Sequence, residues 1–94
     1  MEGELINETN KTTVAYRGMC YIDNLVMKNC RLLNTTLAFE YSTVDVEINS
    51  TIDSVMNPSG GIIRAEGIGE LIMDETKIDP EKTHIVTREI KYAV

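Results

Sequence analysis

Residues 22–32 read Ile22-Asp23-Asn24-Leu25-Val26-Met27-Lys28-Asn29-Cys30-Arg31-Leu32, and residues 68–78 read Ile68-Gly69-Glu70-Leu71-Ile72-Met73-Asp74-Glu75-Thr76-Lys77-Ile78. Laid on one another at an offset of 46 residues, the two stretches match at every apolar position, and Cys30 meets the similarly small Thr76. A third unit, Val44-Asp45-Val46-Glu47-Ile48-Asn49-Ser50-Thr51-Ile52, lies between them, so the steps average 23 residues. Pairing Leu25 with Val44 gives steps of 19 and 27; pairing it with Val46 gives 21 and 25. Both registers keep the same face inward, so the pattern alone does not choose between them. The longer second step places extra length at Met56-Asn57-Pro58-Ser59-Gly60-Gly61, where Pro and paired Gly mark an irregular loop.

The units are strands. Val44, Val46 and Ile48 alternate with Asp45 and Glu47, which puts three aliphatics on one face and two acids on the other. No window of a dozen residues keeps an apolar face at helical spacing. A period in the twenties built from strands and turns predicts a solenoid. The Leu-x-x-Leu-x-Leu ladder of leucine-rich repeats is missing, so the expected fold is all-β: a short right-handed parallel β-helix of about three to four coils, roughly 20 Å tall at 4.8 Å per coil. Asp23-Asn24 and Lys28-Asn29 fall at its corners, where Asn tolerates left-handed backbone.

Residues 1–94 form one expected domain. Residues 1–16 are an atypical, acidic segment that is either disordered or covers one end. Residues 17–79 carry the coils, and residues 80–94, entered through Asp79-Pro80, are a candidate C-terminal cap. A chain this short buries only roughly 60–65% of the surface its unfolded form exposes, so the core is marginal and open coil ends need cover.

Composition excludes several functions. The formal net charge is −6 and the Lys and Arg residues are scattered, which disfavours nucleic acid and anionic membrane surfaces. With no Trp and one Phe, neither an aromatic-lined sugar groove nor base-stacking platforms are expected. No apolar run approaches the roughly 18 residues of a spanning helix, and Met1-Glu2-Gly3-Glu4 is not a secretory signal, so the cytoplasm is the expected location. Asn7, Asn10, Asn34 and Asn49 begin Asn-x-Ser/Thr sequons, read here as turn chemistry. Cys20 and Cys30 are expected to be reduced and buried. His84 stands alone, without an acid at a suggestive spacing. No cofactor or metal site is expected.

From Gly18 onward, Gly18-Met19-Cys20-Tyr21-Ile22-Asp23-Asn24-Leu25, Lys28-Asn29-Cys30 and Leu37-Ala38-Phe39-Glu40-Tyr41-Ser42-Thr43-Val44-Asp45 resemble the C-terminal end of a bacterial family catalogued as domain of unknown function 3737. Ile68-Gly69-Glu70-Leu71-Ile72-Met73-Asp74-Glu75 resembles that family's closing coil. The similarity runs over residues 17–88 and implies a pectin-lyase-like β-helix; the family carries no assigned activity. Its members are several times longer, and this chain departs by carrying only the last few coils behind an unfamiliar N-terminus.

Two functions follow as expectations. One is a structural or interaction module that associates with itself through coil ends or exposed faces, or that takes a glycan. The other is a carbohydrate-active lyase or hydrolase-like β-helix protein, or a remnant of one, whose candidate acids are Asp45, Glu47 and Asp53. Alternation already accounts for Asp45 and Glu47 as solvated charges, and no spacing ties Arg31 or Arg64 to Asp45. Tyr16, Tyr21 and Tyr41 are spread along the chain and read as a poor carbohydrate platform.

Overall fold

The structure is a computed structural model that describes residues 2–9, 11–16 and 20–88. Its elements are β1 (Glu2–Asn7), β2 (Thr12–Tyr16), β3 (Leu25–Thr36), β4 (Thr43–Ile48), β5 (Thr51–Met56), β6 (Gly60–Ala65), β7 (Gly67–Ile72), a 3-10 turn (Pro80–Lys82) and β8 (Thr83–Thr87). The described chain is thus all-β. One sheet has the order β2-β1-β3-β4-β6-β8; the other pairs β5 with β7. Among the described residues, no helix is long and apolar enough to cross a membrane.

Strands β3, β4, β6 and β8 run parallel, with Leu25 on Val44, Val44 on Gly61 and Gly61 on Thr83. The steps are 19, 17 and 22 residues, shorter than the expected average. The register with Val44 is the one adopted. In the second sheet Thr51 pairs with Gly67 and Val55 with Leu71, a step of 16. Ala38 bridges to Val55, donating its N–H to Ser54 O at 2.9 Å and accepting from Met56 N–H at 3.1 Å.

The repeat is therefore not the one the apolar match suggests. Leu25 belongs to the first sheet and Leu71 to the second, so the two stretches 46 residues apart are not stacked units. Nor does the extra length sit at 56–61. The connection through Asn57-Pro58-Ser59 is tight, Gly60 and Gly61 open β6, and the long step runs through the loop 73–79 that precedes the turn at Pro80.

Alternation sets the core. Val44, Val46 and Ile48 point inward with Ile52, Val55, Ile63 and Ile68, and Phe39 fills the space beside them at 1% exposure. Each buried aliphatic contributes about 1.5–3 kcal/mol relative to exposure. Asn24 and Asn29, expected at corners, both hold left-handed backbone (φ 57 and 53), as do Asn34 and Asn57. Asn49 Nδ2 donates to Asn29 Oδ1 at 3.0 Å and Asn29 Nδ2 donates to Thr9 Oγ1 at 3.0 Å, a polar ladder that runs up to the β1–β2 turn.

The N-terminal strands extend the first sheet. Strand β1 lies antiparallel on the Cys30–Thr36 part of β3, and β2 folds back on β1. At the far side β8 pairs with β6. The rest of the candidate cap, residues 89–94, lies outside the described residues.

Candidate functional site

The outward face of β4 carries Asp45 and Glu47, both exposed. Parallel register places β3 on one side and β6 on the other, with Val26 opposite Asp45 and Arg64 opposite Glu47. The long cations reach diagonally. Lys28 Nζ donates to Asp45 Oδ1 at 3.0 Å, and Arg64 Nη1 lies 3.5 Å from the same oxygen. Arg64 is thus tied to Asp45, contrary to the expectation from spacing. The Lys28 hydrogen bond first, then the charges of Lys28 and Arg64, hold the Asp45 carboxyl below the usual carboxylate range against the opposing effect of desolvation. An acid kept ionised and held by two cations is a poor proton donor.

Glu47 is better placed for chemistry. It borders a groove of about 250 Å³ together with Asn49, Arg64, Glu66, Val86 and Arg88. Arg88 Nη1 pairs with Glu66 Oε1 at 3.2 Å. The groove offers two carboxylates and two guanidiniums, each guanidinium with N–H donors to spare beyond its single contact. Its formal charge sums to zero, so it has no bias towards anions. Asp53 does not join this group: it lies exposed on β5, in the other sheet. His84 is exposed on β8 opposite Ile62, which separates it from Asp45 in the same register row. Among the described residues, no three His, Cys, Asp or Glu side chains are close enough to hold a metal ion.

The cysteines differ from one another. Both are free, but only Cys30 is buried; Cys20 is half-buried. Burial pushes the Cys30 thiol up, and its S–H donates to Lys28 O at 3.2 Å. A raised thiol is a poor nucleophile.

Two tyrosines that the sequence separates come together. Tyr21 and Tyr41 stack with ring centroids 5.2 Å apart and planes 18° from parallel. They stand 20 residues apart, close to the step between β3 and β4, so scanning for like residues at 17–20 residues would have paired them. The same scan links Asn29 to Asn49.

Among curated proteins and among solved structures, nothing matches the chain. A family model does match, over residues 4–86, and this takes in both sheets, the charged face of β4 and the stacked tyrosines. The chain belongs to the family described as Protein of unknown function (DUF3737).

Proposed function

We propose that the chain is a short right-handed parallel β-helix of the pectin-lyase-like kind, acting in the cytoplasm as a non-catalytic interaction module that associates with itself. The successive parallel registers in both sheets support the solenoid, since β3, β4, β5 and β6 are each followed 16 to 22 residues later by a parallel neighbour. The observation that carries self-association is β8. It is the outermost strand of its sheet, and among the described residues no strand pairs with the outer edge of Thr83 to Val86. Thr83-His84-Ile85-Val86-Thr87 contains neither Lys nor Glu nor Pro, the usual blocks to edge pairing, and Val86 is 53% exposed. Sedimentation equilibrium at micromolar concentration should return a multiple of 10.5 kDa. Val86→Lys, which charges the edge, should restore the monomer. A wild-type chain that sediments as a monomer ends this reading.

The second reading is a carbohydrate-active protein, favoured by the groove that joins Glu47 and Glu66 to Arg64 and Arg88. It predicts release of reducing or unsaturated ends from at least one member of a polysaccharide panel, and loss of that release in Glu47→Gln. Cleavage of none, or cleavage unchanged in Glu47→Gln, would remove it.

A further inference from the structure

Four of the nine left-handed non-glycine positions among the described residues are asparagine, the residue that holds such backbone with least cost after glycine: Asn24, Asn29, Asn34 and Asn57; Lys11, Leu37 and Phe39 are others. Tyr21 and Tyr41 hold the same conformation, with φ of 56 and 50. A bulky residue there is an outlier, and the backbone alone does not ask for a ring. Phe39, also left-handed, repays its place by filling the core at 1% exposure. Tyr21 does not, since it is 74% exposed. One face of its ring rests on Tyr41 and the other is open to solvent.

The shelf is rigidly held. Tyr21 N–H donates to Glu40 O at 3.1 Å, Ile22 N–H to Ser42 Oγ at 3.0 Å and Asn24 N–H to Thr43 Oγ1 at 2.8 Å. Thr43 Oγ1 in turn donates to Asp23 Oδ1 at 3.1 Å. An exposed carboxylate and carboxamide, Asp23 and Asn24, thus follow the ring within three residues; Thr43 holds the Asp23 side chain and the Asn24 backbone.

We infer that Tyr21 is a binding platform for one sugar ring of a neutral glycan, with Tyr41 backing it and Asp23 and Asn24 meeting its hydroxyls. The alternatives fit less well. Nucleobases arrive with phosphates, which a chain of net charge −6 repels. The same acidity, and Asp23 in particular, disfavours uronates. A quaternary ammonium is held by rings that box it in, whereas planes 18° apart present one flat face. A protein partner needs roughly 1,200 Å² of total buried surface, far more than a two-ring shelf supplies. A pyranose offers what remains: a flat C–H face for the ring and a rim of hydroxyls for the carboxylate and amide. The inference is independent of edge pairing by β8, because a chain that sediments as a monomer keeps the shelf.

The test is amide chemical-shift mapping of the intact chain with cello-, malto-, xylo-, manno- and chito-hexaoses, with oligogalacturonate and choline as comparisons. At least one neutral hexaose should shift amides 20–24 and 40–43 saturably at millimolar concentration, with little response to oligogalacturonate or choline. Tyr21→Asn suits the left-handed backbone and removes the ring, so it should weaken binding at least about tenfold while the melting temperature stays near wild type; Tyr21→Phe should stay within about threefold. Should Tyr21→Asn fail to fold, the wild-type map decides alone. No shifts with any neutral sugar, shifts confined to the Glu47 groove, a preference for choline, or shifts at Tyr21 that follow protein concentration without sugar would each overturn the inference.

Discussion

Gly61 sits where the structure leaves no room for a side chain. Its φ is +106, and a methyl group there would overlap the Val44 carbonyl oxygen while lying 2.8 Å from Val44 C and 2.9 Å from Val44 N. All three are backbone atoms of the paired strand, so no side chain can swing away. Gly61→Ala therefore costs in two ways. Holding alanine at that φ costs about 1–3 kcal/mol. Moving β6 off β4 at this point loses one or two ladder hydrogen bonds at about 1 kcal/mol each. The expected destabilisation is about 3–5 kcal/mol, from a total of roughly 5–14 kcal/mol for a chain of this length. The neighbouring glycine is the control. A methyl at Gly60 meets nothing nearer than Lys82 O at 3.5 Å and Lys82 Cβ at 3.7 Å, so Gly60→Ala should fall within about 1 kcal/mol of wild type. Urea unfolding followed by far-UV circular dichroism measures both, with equal m-values as the condition for comparison. Equal stability for Gly61→Ala and Gly60→Ala would refute the pairing of Gly61 with Val44, and with it the 17-residue step.

Two further outcomes follow from ionisable groups. The folded-state value of Asp45 is depressed, so its ion pairs stabilise above the ordinary carboxylate value near 3.9 and are lost as pH falls through the lower folded value. Asp45→Asn should thus lower the melting temperature more at pH 6 than at pH 2; the pairs are exposed, so the difference should be small and should shrink in salt. An equal effect at both pH values would contradict the assignment. For the thiols, Ellman's reagent at neutral pH should find one fast cysteine, Cys20, and one slow, Cys30, with both fast in denaturant; Cys20→Ser should abolish the fast phase.

The alternation of Val44, Val46 and Ile48 was legible because a period of two needs only one strand to declare itself, and the structure buries all three. The neighbour of that strand was not legible in the same way. Inward positions are mostly aliphatic on β3 to β7 alike, so Ile22–Leu32 matches Ile68–Ile78 although Leu25 and Leu71 never share a ladder. Hydrophobicity says which face is inside and is silent about what lies beside it. The bends carry that information, because their polar and aromatic side chains meet partners one step on: Asn29 bonds to Asn49, Asp23 to Thr43, and Tyr21 stacks on Tyr41. The same holds for the charged face. The exposure of Asp45 and Glu47 follows from alternation, but the partnership of Asp45 with Arg64 needs the 17-residue step.

That step also bears on how copies of the chain would meet. Under the self-association reading, β8 can pair with the partner's β8 across a two-fold axis, or with an edge elsewhere on the next copy. The first closes into a dimer and the second adds copies without limit. Centring the two-fold on Ile85 places His84 against the partner's Val86, so inward residues stay inward on both sides. Antiparallel pairing is also somewhat stronger per residue than parallel. The same register sets Lys82 opposite the partner's Arg88 at each end, a repulsion only partly relieved by the Arg88–Glu66 pair at 3.2 Å. Salt shortens the screening length from about 10 Å at 0.1 M to about 3 Å at 1 M, so the dimer should tighten as salt rises. Lys82→Glu should tighten it at low salt and reverse the trend, because the introduced carboxylate would then face the partner's Arg88. A dimer that weakens with salt in the wild type, or a mass that climbs past two copies with concentration, would exclude the two-fold pairing and leave the open arrangement.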